Sequence, residues 1–305
     1  MKLSFIIPNY NSEKTILKTI KSIYDPKIKQ KYEIIVVDDH SNDNSVKLIK
    51  ETYQDVKLIQ NNDVYGASFT RNQGIKKSKG EILIFIDSDA WFNKKSIELL
   101  VNNINDFDIV FPKTIFENKK TFYPEFDNEK KYPHISVCFA IKRDSLSKLD
   151  NLFDIYYSTY LEDYDFFIRC NLSKLNAKYV EKSIITHINK DNIGDQKLRY
   201  YLEVRNTLYG IKKFRKVKEL AKKTQVKNPF TYFNLLKLFI FGVFNFAWFN
   251  WYKYDRTKKG LSKLKILFQN NNKITKYGFI LPFIFFRAVI GHFQNKKKTT
   301  QTHIQ

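Results

Sequence analysis

Two carboxylates separated by one residue, Asp87 and Asp89, directly follow the apolar run EILIFI. Alternate side chains of an extended chain point to the same face, so both carboxylates would face one side and Ser88 the other. Carboxylate oxygens are ligands that Mg²⁺ and Mn²⁺ prefer, and a cation held in this way can bind a diphosphate. The spacing therefore predicts a divalent-cation site at the end of a buried strand.

Polar residues follow two earlier apolar runs in the same way. Pro8–Asn11 follows the run LSFII, and Asp38–Ser41 follows the run EIIVV. The carboxyl ends of parallel strands meet at one edge of a sheet, and the ligands of such sheets bind there. A single loop can be polar simply because it is exposed, but three such loops in series predict a shared binding site.

The elements that would position these residues alternate between two patterns. Short β-rich runs indicate strands at Leu3–Ile7, Glu33–Val37, Val56–Gln60 and Ile82–Ile86. Apolar residues at helical spacing indicate helices at Glu13–Ile23, Ser45–Tyr53 and Ala67–Lys77. This alternation predicts a parallel sheet with crossover helices on both faces. The first two helices have candidate N-cap side chains in Asn11-Ser12 and Asn44-Ser45.

A second acidic cluster occurs in YLEDYDFFIRC at Tyr160–Cys170. This segment predicts a helix with acids in its first turn, where the helix dipole favours them, and a buried stripe formed by Phe166, Phe167 and Cys170. A carboxylate here that is free of metal could take a proton from a reacting hydroxyl group. The alternative is that these acids only cap the helix.

Together these segments resemble family 2 of the glycosyltransferases, which are inverting enzymes of the GT-A fold. The resemblance covers roughly the first 210 residues and rests on SFIIPNYN at Ser4–Asn11, EIIVVDDHSNDNS at Glu33–Ser45, GASFTRNQGIKKSKGEILIFIDSDA at Gly66–Ala90 and YLEDYDFFIRC. It implies a Rossmann-like mixed α/β sheet flanked by helices, and a nucleotide-diphosphate sugar as donor. The QxxRW motif of processive members is absent from the sequence, so the resemblance is to the non-processive type.

The resemblance implies that Pro8 and Tyr10 line the nucleobase pocket and that Asp39 hydrogen-bonds the base or the ribose. It also implies that Asn62 and Arg71, with Gly66 between them, belong to the segment that closes over the nucleotide. Arg71 would then lie near the phosphates. The nucleotide stays open, because uridine, guanosine and deoxythymidine all fit this pattern.

The resemblance also implies the chemical roles. Asp87 would face the donor, Asp89 would ligate Mn²⁺ or Mg²⁺, and Asp163 would be the catalytic base. His187, in SIITHIN, occupies the place of a further metal ligand, although a lone histidine after a β-type run can equally be structural. The acceptor would be a glycan or a lipid-linked molecule.

Two other functions are weighed against the transferase. A sugar nucleotidyltransferase usually has a glycine-rich loop after its first strand, where this chain has PNYN. A non-catalytic membrane-binding protein of the same fold would not need Asp89 or Asp163. The two cysteines, Cys138 and Cys170, form neither a disulfide framework nor a CxxC motif.

The charge of the chain is unevenly distributed. Residues 196–305 contain 24 Lys and Arg against 3 Asp and Glu, a net charge of +21 out of a total of +22. Basic surfaces bind nucleic acid or anionic lipid, and the aromatic run Phe230–Tyr252 favours lipid over nucleic acid. We therefore expect a peripheral protein on the cytoplasmic face of the cell membrane. The alternative is a single membrane-spanning helix at 230–251, which Lys237 would destabilise.

These patterns predict three regions. Residues 1–210 would form the catalytic domain, residues 211–294 a basic and aromatic helical region that associates with an anionic membrane, and residues 295–305 a flexible tail.

Overall fold

The computed structural model describes residues 2–24, 28–117, 136–188 and 196–214. The predicted membrane-associating region lies outside these residues except for its first four, as does the predicted tail at 295–305. Within the described part of the chain, no helix is both long enough and apolar enough to cross a membrane. The interpretation of 230–251 as an interfacial or a spanning helix therefore stays a prediction.

The chain forms eight strands and seven helices within the described ranges. The strands are β1 Lys2–Asn9, β2 Lys31–Asp38, β3 Lys57–Gln60, β4 Ile82–Ile86, β5 Ala90–Phe92, β6 Ile109–Phe116, β7 Cys138–Lys142 and β8 Ala177–His187. The helices are α1 Ile16–Lys21, α2 Ser45–Thr52, α3 Ala67–Lys77, α4 Ser96–Ile104, α5 Arg143–Leu146, α6 Glu162–Leu172 and α7 Gln196–Lys213.

All eight strands belong to one mixed sheet with the order β3-β2-β1-β4-β7-β6-β8-β5. Strands β3, β2, β1 and β4 are mutually parallel, whereas β7 is antiparallel to both of its neighbours. The predicted α/β mixed sheet flanked by helices is confirmed. The parallel half contains the four strands that the sequence predicts; the apolar runs of β1, β2 and β4 are buried, whereas the edge strand β3 is only partly buried.

Buried side chains alternate between the two faces of the sheet. Leu3, Phe5 and Ile7 pack in the main hydrophobic core, which also contains apolar residues of α1, α2 and α4. The rings of six phenylalanines form a contiguous cluster that includes residues of α6, and these are Phe85, Phe111, Phe139, Phe153, Phe166 and Phe167. The buried stripe predicted for α6 is therefore confirmed, since Cys170 is also fully buried.

The predicted N-cap position is correct for α2 and wrong for α1, and neither helix has a side-chain cap. Helix α1 begins at Ile16 rather than Glu13, and its N-cap residue is Thr15. Asn44 is the N-cap residue of α2, but its side chain makes no capping hydrogen bond and donates to Glu13 Oε2 at 3.2 Å. The Asn11 side chain accepts a hydrogen bond from the Asn42 backbone N–H at 2.8 Å. Contacts between the loops that follow β1 and β2 thus use the side chains that local sequence assigns to capping.

Strands β1–β8 and helices α1–α6 belong to one compact unit, which reaches residue 191, and α7 belongs to a second unit. In α7 the Arg205 guanidinium donates to Asn206 Oδ1 at 2.8 Å. The sequence places the end of the catalytic domain near residue 210, and that boundary stays a prediction.

Candidate functional site

The site lies at the carboxyl ends of β1 and β4, where the strand order reverses direction. From β1 the chain adds β2 and β3 on one side, and then returns to add β4 on the other. Strand β1 pairs with β2 as far as Asn9, but its pairing with β4 ends at Ile6. Pro8 has no N–H group with which to extend that second ladder. We call the region beyond this last pair, where β1 and β4 are unpaired, the β1–β4 crevice, and reversals of this kind are where α/β sheets bind ligands.

Asp39, at the end of β2, organises the loop that follows β3. Its Oδ1 accepts hydrogen bonds from Asn61 Nδ2 at 2.8 Å and from the Tyr65 N–H at 3.0 Å. Its Oδ2 accepts a hydrogen bond from the Gly66 N–H at 2.8 Å. A carboxylate offers about four acceptor directions, so roughly one is left for a ligand. The contact between Asp39 and a base or ribose stays a prediction, and the observed role of Asp39 is to hold the loop 61–66.

Gly66 connects this loop to the segment before α6. Its φ is +92°, and a Cβ at this position would lie 2.7 Å from the backbone of Ser158. The Ser68 N–H also donates to the Ser158 carbonyl oxygen at 3.0 Å. The first turn of α3 is therefore in close contact with the residues that lead into α6. Only glycine fits both the conformation and the space.

Two tyrosines near the crevice present aromatic surface to solvent. Tyr10, just beyond β1, is 48% exposed, and Tyr65 is 40% exposed. The Tyr65 hydroxyl donates to Asn62 Oδ1 at 2.7 Å, so the two side chains contact each other within the loop 61–66. The structure thus places Tyr10 and Asn62 on different loops beside the strand ends, and their nucleotide contacts stay predictions.

Arg71 bridges two carboxylates that are far apart in sequence. Its Nη2 donates to Asp87 Oδ1 and its Nη1 donates to Glu162 Oε1, each at 3.0 Å. The Arg71 side chain is 4% exposed, so the guanidinium charge is balanced by these carboxylates before any phosphate binds. Burial raises the pKa of Asp87 to about 6, with a further rise from Asp89, while Arg71 opposes both.

Asp163, the predicted base, lies next to this ion-pair network. Its Oδ2 accepts a hydrogen bond from the Ser136 N–H at 3.2 Å, and its Oδ1 accepts one from the Tyr164 N–H at 2.8 Å. Burial raises the pKa of Asp163 to about 7, and the negative charge of Glu162 adds to the rise, whereas Arg71 lowers it. A carboxylate with a pKa near neutrality is well suited to accept a proton from a hydroxyl group.

Asp89 and His187 form the third part of the site. Their Oδ1 and Nε2 atoms are 3.2 Å apart, because Ala90 of β5 pairs with His187 of β8. Two adjacent ligands at about 2.1 Å from an octahedral ion are about 3.0 Å apart, so this pair fits a divalent cation. Among the residues that the structure describes, no group of three or more His, Cys, Asp or Glu side chains could hold a metal ion.

The Asp87–Asp89 segment is a tight turn rather than an extended chain. The Ala90 N–H donates to the Asp87 carbonyl oxygen at 3.1 Å. The prediction that both carboxylates point to one face and Ser88 to the other rests on an extended chain, which this turn does not provide. Asp87 contacts Arg71, Asp89 contacts His187, and the Ser88 hydroxyl lies 2.7 Å from that of Ser12.

Sequence reasoning missed three groups that shape this site. By sequence, Glu162 is only one of the acids in the first turn of α6, although it is the second partner of Arg71. The sequence gives no signal for the backbone N–H of Ser136, and it indicates Ser12 only as a candidate helix cap. A buried arginine requires carboxylate partners, but nothing local in the sequence indicates which acids supply them.

Comparison with known proteins gives concordant results. The sequence model described as "Glycosyl transferase family 2" matches residues 4–159. The poly(ribitol-phosphate) beta-N-acetylglucosaminyltransferase TarP of Staphylococcus aureus (strain N315) is 36% identical over 135 residues, which are 42% of this chain and 41% of TarP. The UDP-Glc:alpha-D-GlcNAc-diphosphoundecaprenol beta-1,3-glucosyltransferase WfgD of Escherichia coli is 37% identical over 112 residues, which are 34% of this chain and 43% of WfgD. The chain thus spans less than half the length of these two relatives.

A solved structure shares the fold. The crystal structure of S. aureus TarS 1–349 in complex with UDP aligns with a TM-score of 0.52 at 22% identity, covering 69% of this chain and 66% of that one. At this identity the likeness concerns the fold alone, and it confirms the GT-A type of mixed sheet that the sequence predicts.

Proposed function

This chain belongs to glycosyl transferase family 2, and from that premise we propose that it transfers a sugar from a nucleotide-diphosphate sugar to a glycan or lipid-linked acceptor, with inversion at the anomeric carbon. The observation that carries the proposal is the position of Asp163. Its carboxylate is buried, has a pKa raised to about 7, and lies beside the Arg71–Glu162 ion pair that also contacts Asp87.

In this mechanism Asp163 takes the proton of the acceptor hydroxyl group as its oxygen forms a bond to the anomeric carbon. The bond between that carbon and the diphosphate oxygen breaks on the opposite face, and the electron pair leaves with the nucleoside diphosphate. Arg71 and Glu162 hold Asp87 and the start of α6 in place during this displacement. Asp89 and His187 would hold Mn²⁺ or Mg²⁺, which supplies positive charge for the departing diphosphate.

We propose a uridine diphosphate sugar as the donor. The name of WfgD specifies UDP-Glc, and the TarS structure contains UDP. The acceptors in the relatives' names, poly(ribitol-phosphate) and a diphosphoundecaprenol-linked sugar, both carry phosphate. A phosphate-bearing acceptor agrees with the charge of +22 on this chain, because opposite charge increases the rate of encounter.

We also propose that the chain works at an anionic membrane surface through its basic C-terminal region. The support is in the sequence, where Lys and Arg are interleaved with the aromatic run Phe230–Tyr252. Basic and aromatic residues combined in this way are typical of segments that bind at the lipid interface. A lipid-linked acceptor would then be available where the donor site operates.

The test measures thermal stability of the full chain with UDP, GDP and dTDP, each with and without Mn²⁺. A ligand present at 100 times its Kd stabilises the folded state by about 2.7 kcal/mol. We expect UDP to stabilise most, and Mn²⁺ to add to its effect. Asp89→Ala should lose the Mn²⁺-dependent part, whereas the exposed Asp106→Ala should behave as the parent.

Two outcomes would contradict the proposal. If no nucleotide stabilises the parent, the assignment of the nucleotide site is wrong. If Asp89→Ala keeps the full Mn²⁺ effect, the cation binds elsewhere.

A further inference from the structure

Ser88, between the two carboxylates of the turn, is held by the loop after β1 and by α1. Its Oγ lies 2.7 Å from Ser12 Oγ, and both residues are more than nine-tenths buried. The Thr19 hydroxyl of α1 donates to the Ser88 carbonyl oxygen at 3.0 Å. Both the loop after β1 and helix α1 therefore contact, through Ser88, the turn that carries Asp87 and Asp89.

The direction of the hydroxyl bond follows from the number of protons. Each serine hydroxyl has one proton to donate. The Ser12 hydroxyl donates to the carbonyl oxygen of Tyr10 at 3.1 Å. Ser88 is then the donor in the bond to Ser12, which gives a chain that runs from Ser88 through Ser12 to Tyr10. The two ends of this chain are the turn that precedes Asp89 and the residue predicted to contact the nucleobase.

We propose that Ser88 is a positioning residue whose hydroxyl bridge to Ser12 fixes the Asp87–Asp89 turn in the geometry that binds a divalent cation. This inference rests on the proposed function, since it concerns the cation assigned there to Asp89 and His187. The bridge crosses the crevice where β1 and β4 are no longer paired, so no backbone ladder between these two strands holds the turn. Without the bridge, the turn would be held mainly from the β8 side, where Ala90 pairs with His187 and the Ile188 N–H donates to the Asp89 carbonyl oxygen at 3.1 Å, and cation affinity would fall.

The experiment measures Mn²⁺ binding directly on the full chain, from the loss of the free-ion electron paramagnetic resonance signal. Mn²⁺ alone is the probe, without nucleotide. One buried hydrogen bond corresponds to an effect of about 2- to 10-fold on a dissociation constant. We expect Ser88→Ala and Ser12→Ala each to raise the Kd for Mn²⁺ by that factor. The Kd of the double variant should exceed the higher of the two single-variant Kd values by no more than about twofold, because both changes remove the same bond.

A matched control removes a buried serine hydroxyl elsewhere. Ser145 is 2% exposed, and its hydroxyl donates to Asp108 Oδ1 at 2.6 Å, away from the Asp87–Asp89 turn. Ser145→Ala should leave the Kd for Mn²⁺ unchanged even if it lowers the melting temperature. A second readout is UDP binding without metal, which Ser88→Ala should leave within about twofold of the parent, since the bridge acts on the cation site.

The outcomes separate this inference from the function on which it rests. If the parent binds Mn²⁺ and Ser88→Ala binds it equally well, the bridge has no positioning role and the proposed function stands. If the effects of Ser12→Ala and Ser88→Ala on the free energy of Mn²⁺ binding add fully in the double variant, the two hydroxyls act independently and the inference is overturned. If the parent itself binds no Mn²⁺, the cation assignment fails and the bridge with it.

Discussion

At the scale of single residues, Glu162 and Asp163 are adjacent in sequence but have different partners. Glu162 accepts a hydrogen bond from the Arg71 guanidinium, so its negative charge is directly balanced. Asp163 accepts only backbone N–H groups among the hydrogen bonds described, and its pKa is raised to about 7. This difference supports the proposed roles, in which Glu162 holds the site together and Asp163 accepts a proton.

Asp163→Asn should lose most turnover and keep donor affinity. A general base acts on the acceptor proton in the transition state, and its removal costs roughly 10²- to 10⁴-fold in kcat. The measurement is kcat for sugar transfer together with the Kd for UDP. Turnover within threefold of the parent would contradict the assignment of Asp163 as the base.

The same variant has an expected effect on stability that depends on pH. The pKa of Asp163 is raised from an ordinary value of 3.8 to about 7, so the folded state binds this proton more tightly than the unfolded state. Stability is therefore lost as pH rises from about 4 through 7, because the buried carboxylate must ionise. Asp163→Asn should melt at a higher temperature than the parent at pH 8, and this advantage should shrink toward pH 4. The exposed Asp106→Asn should show no such trend.

At the scale of elements, α6 is placed by aromatic packing and by an unusual backbone segment that precedes it. Phe166 stacks on Phe153 with ring centroids 4.3 Å apart. Ser158, Tyr160 and Leu161 all have positive φ between 53° and 67°, although none is glycine. Such conformations cost about 1–3 kcal/mol each and persist where surrounding contacts enforce them. Here the contact is with the first turn of α3, next to Gly66.

Gly66→Ala should therefore weaken donor binding as well as stability. The added Cβ would lie 2.7 Å from the Ser158 backbone, and alanine disfavours a φ of +92°. Relief of this clash would displace the loop 61–66 that Asp39 holds, at a cost of about 1–3 kcal/mol in unfolding free energy. Urea unfolding and UDP titration would measure both effects. Val64→Ala, in the same loop and 48% exposed in the parent, is the control that should change little.

At the scale of the whole molecule, the distribution of charge divides the chain into two halves. Residues 196–305 carry a net charge of +21, and the first 195 carry +1. A nearly neutral half contains the proposed chemistry, and a strongly basic half contains the aromatic runs. This division supports a function in which the basic half brings the catalytic half to a negatively charged surface.

The full chain should float with anionic vesicles and not with neutral ones, and high salt should release part of it. Each Lys or Arg near such a surface contributes about 1 kcal/mol. Changing Lys222, Lys223 and Lys227 to Gln should then weaken binding roughly 100-fold. Changing three exposed lysines of the other half, Lys76, Lys77 and Lys79, should have no effect. Protein that stays at the bottom with both vesicle types would contradict the membrane proposal.

Local sequence patterns predict the parallel half of the sheet and the elements that carry the candidate site residues. Strand β4 and helix α3 have the predicted bounds, and β1, β2 and β3 differ by one or two residues at their ends. Continuous apolar runs and helical spacing are local signals, because they reflect burial within each element. The acids at the strand ends and at the start of α6 are also identified locally, because they directly follow a predicted strand or begin a predicted helix.

Which of those residues contact one another depends on long-range packing. Arg71 contacts Glu162 across 91 positions, and Ser12 contacts Ser88 across 76. The expected cap at Asn11-Ser12 and the expected extended chain at Asp87–Asp89 use neighbours along the chain, whereas a buried polar group takes the partner that the packed sheet brings within hydrogen-bond distance. Local pattern therefore specified which residues could do chemistry, and long-range packing specified their partners.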